Sequence, residues 1–239
     1  MNKGAFVIAR NNGHIDYVKQ AVFLAKRIKK YLDIPVTIAT DSADYLKNTF
    51  DVNIFDNVIE LPYTDEKNLR YFFDGTLSKK TASFKNANRA NVYNLTPYDE
   101  TLLMDTDYII SNDLFKSCFD SVSNFMLYKK SDDIAKVRAE DEFDTISNTS
   151  VDFYWATCVF FRKTETNKTF FDLVSHIEDE WNHYRRVYQI KSSLFRNDFA
   201  FSIAVHIMNG FQTGTFAQQL PGSMMYTTDK DILLSLIHI

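Results

Sequence analysis

The chain has 239 residues, enough for one domain, or for two half-domains around a continuous sheet, with a core that needs no covalent staples. Hydrophobic residues make up 45% of it, with 21 Phe and 13 Tyr, which excludes an intrinsically disordered chain. The 27 basic and 31 acidic residues leave a formal net charge of −4, so electrostatics give no reason to expect nucleic acid or an anionic membrane as the main partner.

In chain order, residues 4–9 (GAFVIA) read as a short buried strand. Apolar residues then recur at Ile15, Val18, Val22, Ala25, Ile28 and Leu32, in steps that mark one face of a helix. Pro35 opens a second strand over residues 36–39, stopping at Thr40 and Asp41, and residues 57–61 (NVIEL) form a third. Strand, helix, strand at this spacing is a βαβ unit with parallel pairing. Ligands of such sheets sit at the carboxyl ends of the strands, which places Arg10, Asn11, Asn12 and Asp41 near a site on general grounds.

A polar stretch over residues 62–80 precedes a helix expected from about Thr81 to Tyr93, and residues 100–104 (ETLLM) form the next strand. A strand follows at 125–128, then a charged loop at 129–148, then a strand over 153–161. Phe170, Val174, Ile177, Trp181, Tyr184 and Tyr188 alternate steps of four and three, the pattern of one long amphipathic helix. A last helix is expected from Asp198, as N-cap, to Asn209, with Gly210 as its stop. Cys118 and Cys158 stand in unrelated contexts and read as free thiols of a reducing compartment. With no signal peptide and no apolar run near the ~20 residues of a membrane span, a cytoplasmic protein is expected. The chain ends on the apolar run DILLSLIHI, which reads as a truncated element.

The run LLMDTDYII carries the most chemistry. Two carboxylates one residue apart in extended backbone, Asp105 and Asp107, face the same side. Like charges that close repel, and a divalent cation removes the penalty; Mn2+ or Mg2+ takes one or two carboxylates and lets substrate phosphates complete the shell. The competing reading is a solvated turn after a strand. With only six glycines the chain has no glycine-rich phosphate loop, so a bound diphosphate would depend on metal and basic side chains. Lys85 and Arg89, four apart on the helix expected before the acidic strand, share a face that either grips phosphate or simply meets solvent.

The segment FKNANRANVYNLTPYDETLLMDTDYIISND resembles GT-A-fold glycosyltransferases, in particular the retaining galactosyl- and glucosyltransferase-like members related to glycogenin. Arg89 followed by a hydrophobic strand ending in Asp105 and Asp107 matches their arginine and DxD metal motif, and GAFVIARNNGHIDYV resembles their first strand and nucleotide loop. The likeness covers most of the chain loosely and residues 84–113 more specifically. It implies an α/β, GT-A-like nucleotide-diphospho-sugar transferase fold, with a mixed, mostly parallel central sheet flanked by helices. One catalytic domain would combine a nucleotide-binding half (1–110) with an acceptor-binding half (111–239).

The same resemblance implies a metal-dependent transfer of a sugar from a nucleotide-diphosphate donor, a UDP-sugar by family likeness, to a hydroxyl of a glycan, protein or small molecule. It places Ala9, Asn12, Asp41, Lys85, Arg89 and Thr106 at the donor and Trp155 and Thr157 at the sugar or acceptor. Asp105 and Asp107 would hold the metal, and Asp198 would be a catalytic or sugar-orienting carboxylate. Trp155, Ala156 and Thr157 stand where the family usually carries Asn-Ala-Gly, and its late histidine ligand has no clear counterpart, since His206 falls in a helix and His238 at the end. Two alternatives remain open. One is a degenerate transferase that binds nucleotide-sugar without turnover. The other is a haloacid-dehalogenase-like phosphatase, in which the first Asp is the nucleophile and the second the acid.

Overall fold

Five-residue strands buried along their whole length need cover on both faces, and the sequence supplies it with amphipathic helices between them. The structure, a computed structural model, describes residues 2–12, 15–63, 69–73, 79–83, 88–134 and 143–226. Along the chain they form β1 (Lys3–Ala9), α1 (Tyr17–Tyr31), β2 (Val36–Thr40), α2 (Ala43–Thr49), β3 (Asn57–Glu60), β4 (Leu69–Phe73) and β5 (Lys79–Ser83). There follow α3 (Val92–Leu95), β6 (Glu100–Met104), α4 (Lys116–Asp120), β7 (Phe125–Tyr128), β8 (Ser131–Asp133) and β9 (Trp155–Arg162). The last elements are α5 (Glu165–Asp179), α6 (Trp181–Val187), α7 (Asn197–Met208), β10 (Gln218–Gln219) and β11 (Met224–Tyr226).

Seven strands make the central sheet, in the order β10-β7-β9-β6-β1-β2-β3. Strand β9 runs antiparallel to β6 and β7, and the other pairings are parallel, as the mixed, mostly parallel sheet requires. Strands from both halves of the chain share this one sheet. Val7 is level with Met104 and Ala9 with Thr40, so β1, β2 and β6 end along one edge. The strand order turns back at β1, the place where open α/β sheets keep a crevice.

Helix α1 buries Val18, Ala21, Val22, Leu24, Ala25 and Ile28, the face the periodicity marks, and packs on β1 and β2. The Asp16 carboxylate caps it by accepting the Lys19 N–H at 2.9 Å. Glycine is required at position 4, because a β-carbon there would lie 2.4 Å from the Tyr98 ring. Tyr98 in turn accepts a hydrogen bond from the Thr37 hydroxyl at 2.8 Å, tying the segment before β6 to β2. Behind β7 and β9 the core is aromatic: Phe125 meets Phe170 at 4.4 Å between ring centroids, and Phe161 meets Phe171 at 4.7 Å. Such pairs add about 0.5–1.5 kcal/mol each beyond area burial.

Three sequence expectations are corrected. The helix expected from Thr81 to Tyr93 is not formed: residues 79–83 are strand β5, paired antiparallel with β4, while Asn88–Asn91 form a 3-10 turn and Val92–Leu95 a single α-turn. The aromatic run Tyr71, Phe72, Phe73 in β4 favours extended pairing and draws the polar segment with it. The long helix over 170–188 is broken at Glu180 (φ −100°, ψ 29°) into α5 and α6. That break lets Trp181 pack under Phe195 and Phe199 and donate its indole N–H to the Ser193 carbonyl at 2.9 Å. The last helix is capped by Arg196 rather than Asp198, and it stops at Gly210, whose φ of 70° suits glycine.

Candidate active site

At the shared edge, β6 leads into Asp105, whose backbone N–H still donates to the Thr157 carbonyl of β9 at 2.8 Å. Asp105 is thereby fixed to the antiparallel strand as well as to its own. The extended backbone expected across the motif is not formed: β6 ends at Met104, Thr106 and Asp107 make a turn, and the Tyr108 N–H returns to the Asp105 carbonyl at 3.4 Å, so strand alternation does not set the two carboxylates on one side. Arg89, from the 3-10 turn before β6, donates one guanidinium nitrogen to the Asp105 Oδ1 and another to the Ala156 carbonyl. Its side chain is 4% exposed and its Nε has no hydrogen-bond partner among the described residues. Burial pulls the Arg89 pKa down, against the opposing field of Asp198, Tyr108 and Asp107.

Asp107 stands differently from Asp105. Its side chain reaches water, yet the protein crowds it closely enough that desolvation raises its pKa, the Asp107 backbone and Arg89 charge opposing. A carboxylate crowded in this way is costly while ionised and alone. A divalent cation is what relieves such a group, so the donor set fits a hard, oxygen-ligated metal. Among the described residues no group of three His, Cys, Asp or Glu side chains is arranged to hold a metal ion, so two carboxylates would be the protein's share.

Beside the pair, the Tyr108 hydroxyl lies 2.9 Å from the Thr157 Oγ1 and donates to the Met224 sulfur at 3.2 Å. Burial pushes the Tyr108 pKa well above its ordinary value. Nothing in the sequence pattern singled out Tyr108; its place directly after the acidic motif was the available signal. Thr106, expected at the donor, is buried, and its hydroxyl donates to Gln20 of α1 at 2.9 Å, away from open space.

The nucleotide end of the edge holds Ala9, fully buried at the end of β1, and Arg10, also buried, which donates to the Pro62 carbonyl at 3.2 Å. Asn11 is occupied by the start of α1, accepting from the Val18 N–H at 3.1 Å and donating to Asp16 at 3.3 Å. The Asn12 side chain accepts from the Ile15 N–H at 2.8 Å. Asp41, at the end of β2, accepts from Ser42 with one oxygen, while its buried Oδ2 has no partner among the described residues. A buried carboxylate oxygen left this way is ready for an N–H or O–H donor. Lys85 and His238 lie outside the described residues.

Asp198 is turned to the scaffold. Its Oδ1 accepts the Ala156 N–H at 3.0 Å and its Oδ2 accepts from Arg196 at 2.8 Å. Ala156 thus links Asp198 on one side to Arg89 on the other, and Arg89 to Asp105. Trp155, expected to offer a face to a sugar, is 6% exposed and packs edge-on against Phe143 and Phe153, each about 5 Å away. The ring is in the core while Thr157 is half-buried; the pairing of β9 with β7 is irregular over this stretch, passing from Val159 opposite Leu127 to Trp155 opposite Tyr128. His206 shares a hydrogen bond of 3.0 Å with the Tyr188 hydroxyl, a structural contact within the helical layer.

No protein-family model matches the chain, and no curated protein matches its sequence significantly. Solved structures do match. The galactosyltransferase LgtC, in complex with donor and acceptor sugar analogues, aligns at 11% identity and TM-score 0.52, over 84% of this chain and 70% of its own. An active-site variant of LgtC aligns at 12% identity and TM-score 0.53, over 84% and 69%. The glycosyltransferase GlyE of Streptococcus pneumoniae aligns at 10% identity and TM-score 0.49; this chain spans 45% of its length. No helix among the described residues is long and apolar enough to cross a membrane. At such low identities the likeness to LgtC speaks for architecture alone, and the architecture of this chain is a GT-A-like α/β fold with a mixed, mostly parallel sheet flanked by helices.

Proposed function

We propose that this chain is a glycosyltransferase that takes a sugar from a nucleotide-diphosphate donor, a UDP-sugar, and passes it to a hydroxyl of a glycan, protein or small molecule. The observation that carries the reading is the acid pair, Asp105 and the water-reaching Asp107, at the carboxyl edge of β6 beside the crevice at β1. It agrees with a fold whose solved example, LgtC, holds donor and acceptor sugar analogues. In this reading Asp105 and Asp107 would hold Mn2+ or Mg2+, and that cation would supply Lewis-acid stabilisation of the departing diphosphate.

The chain's own groups do the rest. Asp41 offers its unpartnered oxygen to the N–H or O–H groups of the nucleoside, near Ala9 and Asn12. Arg89 brings a fixed positive charge to the edge where the diphosphate leaves, electrostatic help of several kcal/mol when water is excluded. Lys85 would add a second cation by its place in the sequence. Asp198 acts as a positioning residue: by holding the Ala156 N–H it fixes the carbonyl on which Arg89 rests. Thr157, half-buried against Tyr108, stands beside the sugar.

The test is Asp105→Asn, assayed by manganese-dependent release of nucleoside diphosphate from a panel of nucleotide-sugars. The expected loss is roughly 100-fold or more. Turnover equal to the parent chain's would remove the metal role. Tight donor binding with no release in the parent chain would favour the degenerate, binding-only alternative.

A further inference from the structure

The acid pair sits on a tight turn. Asp105 opens it, Thr106 and Asp107 occupy the middle, and the Tyr108 N–H closes it onto the Asp105 carbonyl at 3.4 Å. Thr157 holds both ends of this turn. Its carbonyl accepts the Asp105 N–H at 2.8 Å, and its Oγ1 lies 2.9 Å from the Tyr108 hydroxyl. Any residue in β9 could make the first contact through its backbone. The second depends on a hydroxyl-bearing side chain at position 157 and a phenol at position 108.

The Tyr108 hydroxyl carries one hydrogen, which goes to the Met224 sulfur at 3.2 Å, so the Thr157 hydroxyl is the donor in the bond between the two. The Met224 sulfur also stands 3.5 Å from the Thr157 Oγ1, and Met224 is itself buried, so β11 closes the third side of the group. On the other side of the turn the Thr106 hydroxyl donates to Gln20 of α1 at 2.9 Å. Both chain neighbours of Asp107 are thus tied by their side chains to separate parts of the fold. The Asp107 carboxylate feels its own backbone and the Arg89 charge, but no other side chain among the described residues hydrogen-bonds to it. It takes its direction from the backbone of the turn.

Resting on the metal reading of the acid pair, we infer that Tyr108 and Thr157 are positioning residues for the cation: the bond between their hydroxyls holds the turn that aims Asp107 at an ion beside Asp105. Neither hydroxyl needs to touch the metal or the donor. Outer partners of this kind commonly change metal affinity by about 10–100-fold. A ligand that must first be oriented loses part of its affinity to that ordering, and a turn pinned at both ends has it done in advance.

The experiment titrates Mn2+ alone into the full chain, with the EPR signal of free Mn2+ as the readout and the Tm recorded for every variant. Tyr108→Phe and Thr157→Val each remove one hydroxyl and keep the shape, and each should weaken Mn2+ binding by about tenfold. The double variant should bind no more weakly than the singles, since the same bond is gone in all three. Thr157→Ser, which keeps the hydroxyl, should bind as the parent chain does. Tyr188→Phe is the control for general loosening: it removes a hydroxyl bonded to His206 in the helical layer and should leave Mn2+ binding unchanged. Parent-like affinity in Tyr108→Phe or Thr157→Val, losses that multiply in the double variant, or an equal loss in Tyr188→Phe would overturn the inference. A parent chain that takes up no Mn2+ removes the metal reading and this assignment with it, whereas a parent that binds, with variants that match it, removes the assignment alone.

Discussion

The Arg89 guanidinium sits between two acceptors that come from different strands, the Asp105 carboxylate and the Ala156 carbonyl. Its side chain is 4% exposed while that of Asp105 is 26% exposed, so removing each partner leaves a different residue of charge. Arg89→Ala would strand the carbonyl and part of the carboxylate, at a cost of about 2–3 kcal/mol measured by urea unfolding. Pairing Arg89→Met with Asp105→Leu should recover much of that stability while leaving the chain without donor binding, because the loss in the single variant comes from uncompensated polar groups. Equal stability of Arg89→Ala and the parent chain would show that the bridge does not organise the edge. At this scale the sequence was most informative where chemistry is local. Asp105 and Asp107 stand out by their spacing and Arg89 by the resemblance, and the structure brings Arg89 onto Asp105. Asp198 was legible as a residue but not in its orientation, since its partners, Ala156 and Arg196, are set by how α7 meets β9.

Elements built on one face of apolar residues were read correctly: α1 and strands β1, β2, β3, β6 and β7 stand where hydrophobic periodicity put them. Elements whose form depends on a distant partner were not. Lys79–Ser83 is polar and carries no strand signal of its own, and it is extended because β4 pairs with it. The join of α1, β2 and β3 offers a test of such tertiary wiring. The Asp56 carboxylate accepts the Val36 N–H at 2.8 Å and pairs with Lys29 at 3.0 Å. Partial burial pulls its pKa up, but the Val36 hydrogen bond and Lys29 outweigh it, so the folded value lies below the ordinary 3.8. A carboxylate depressed in the folded state stabilises the fold above its unfolded pKa, and that contribution fades as pH falls through the folded value. Asp56→Asn should therefore lower the Tm at pH 7, and the gap between variant and parent should close below about pH 3.8. A gap that persisted at low pH would mean that shape, not charge, holds the join.

At the scale of the molecule, three parallel strands end together and bring residues from positions 9, 41 and 105 to one edge, a gathering that no local window of the sequence contains. The edge combines a partnerless buried oxygen at Asp41 with a desolvated carboxylate at Asp107, each a site that a ligand would relieve. The two are separated along the sheet, and in the proposed function one ligand would meet both, with a nucleoside at one end and a metal-bound diphosphate at the other. Binding confined to the folded state raises stability by about 2.7 kcal/mol at a hundredfold excess over Kd, which is roughly 5–10 °C in Tm for a chain of this size. UDP with manganese should reach that range, while uridine alone or manganese alone should move the Tm by a small part of it. In Asp107→Asn the uridine increment should survive and the joint effect of manganese and diphosphate should vanish. If UDP shifted the Tm equally with and without manganese, the diphosphate would be held by side chains alone, and the acid pair would have to be read as the ordinary polar end of a strand.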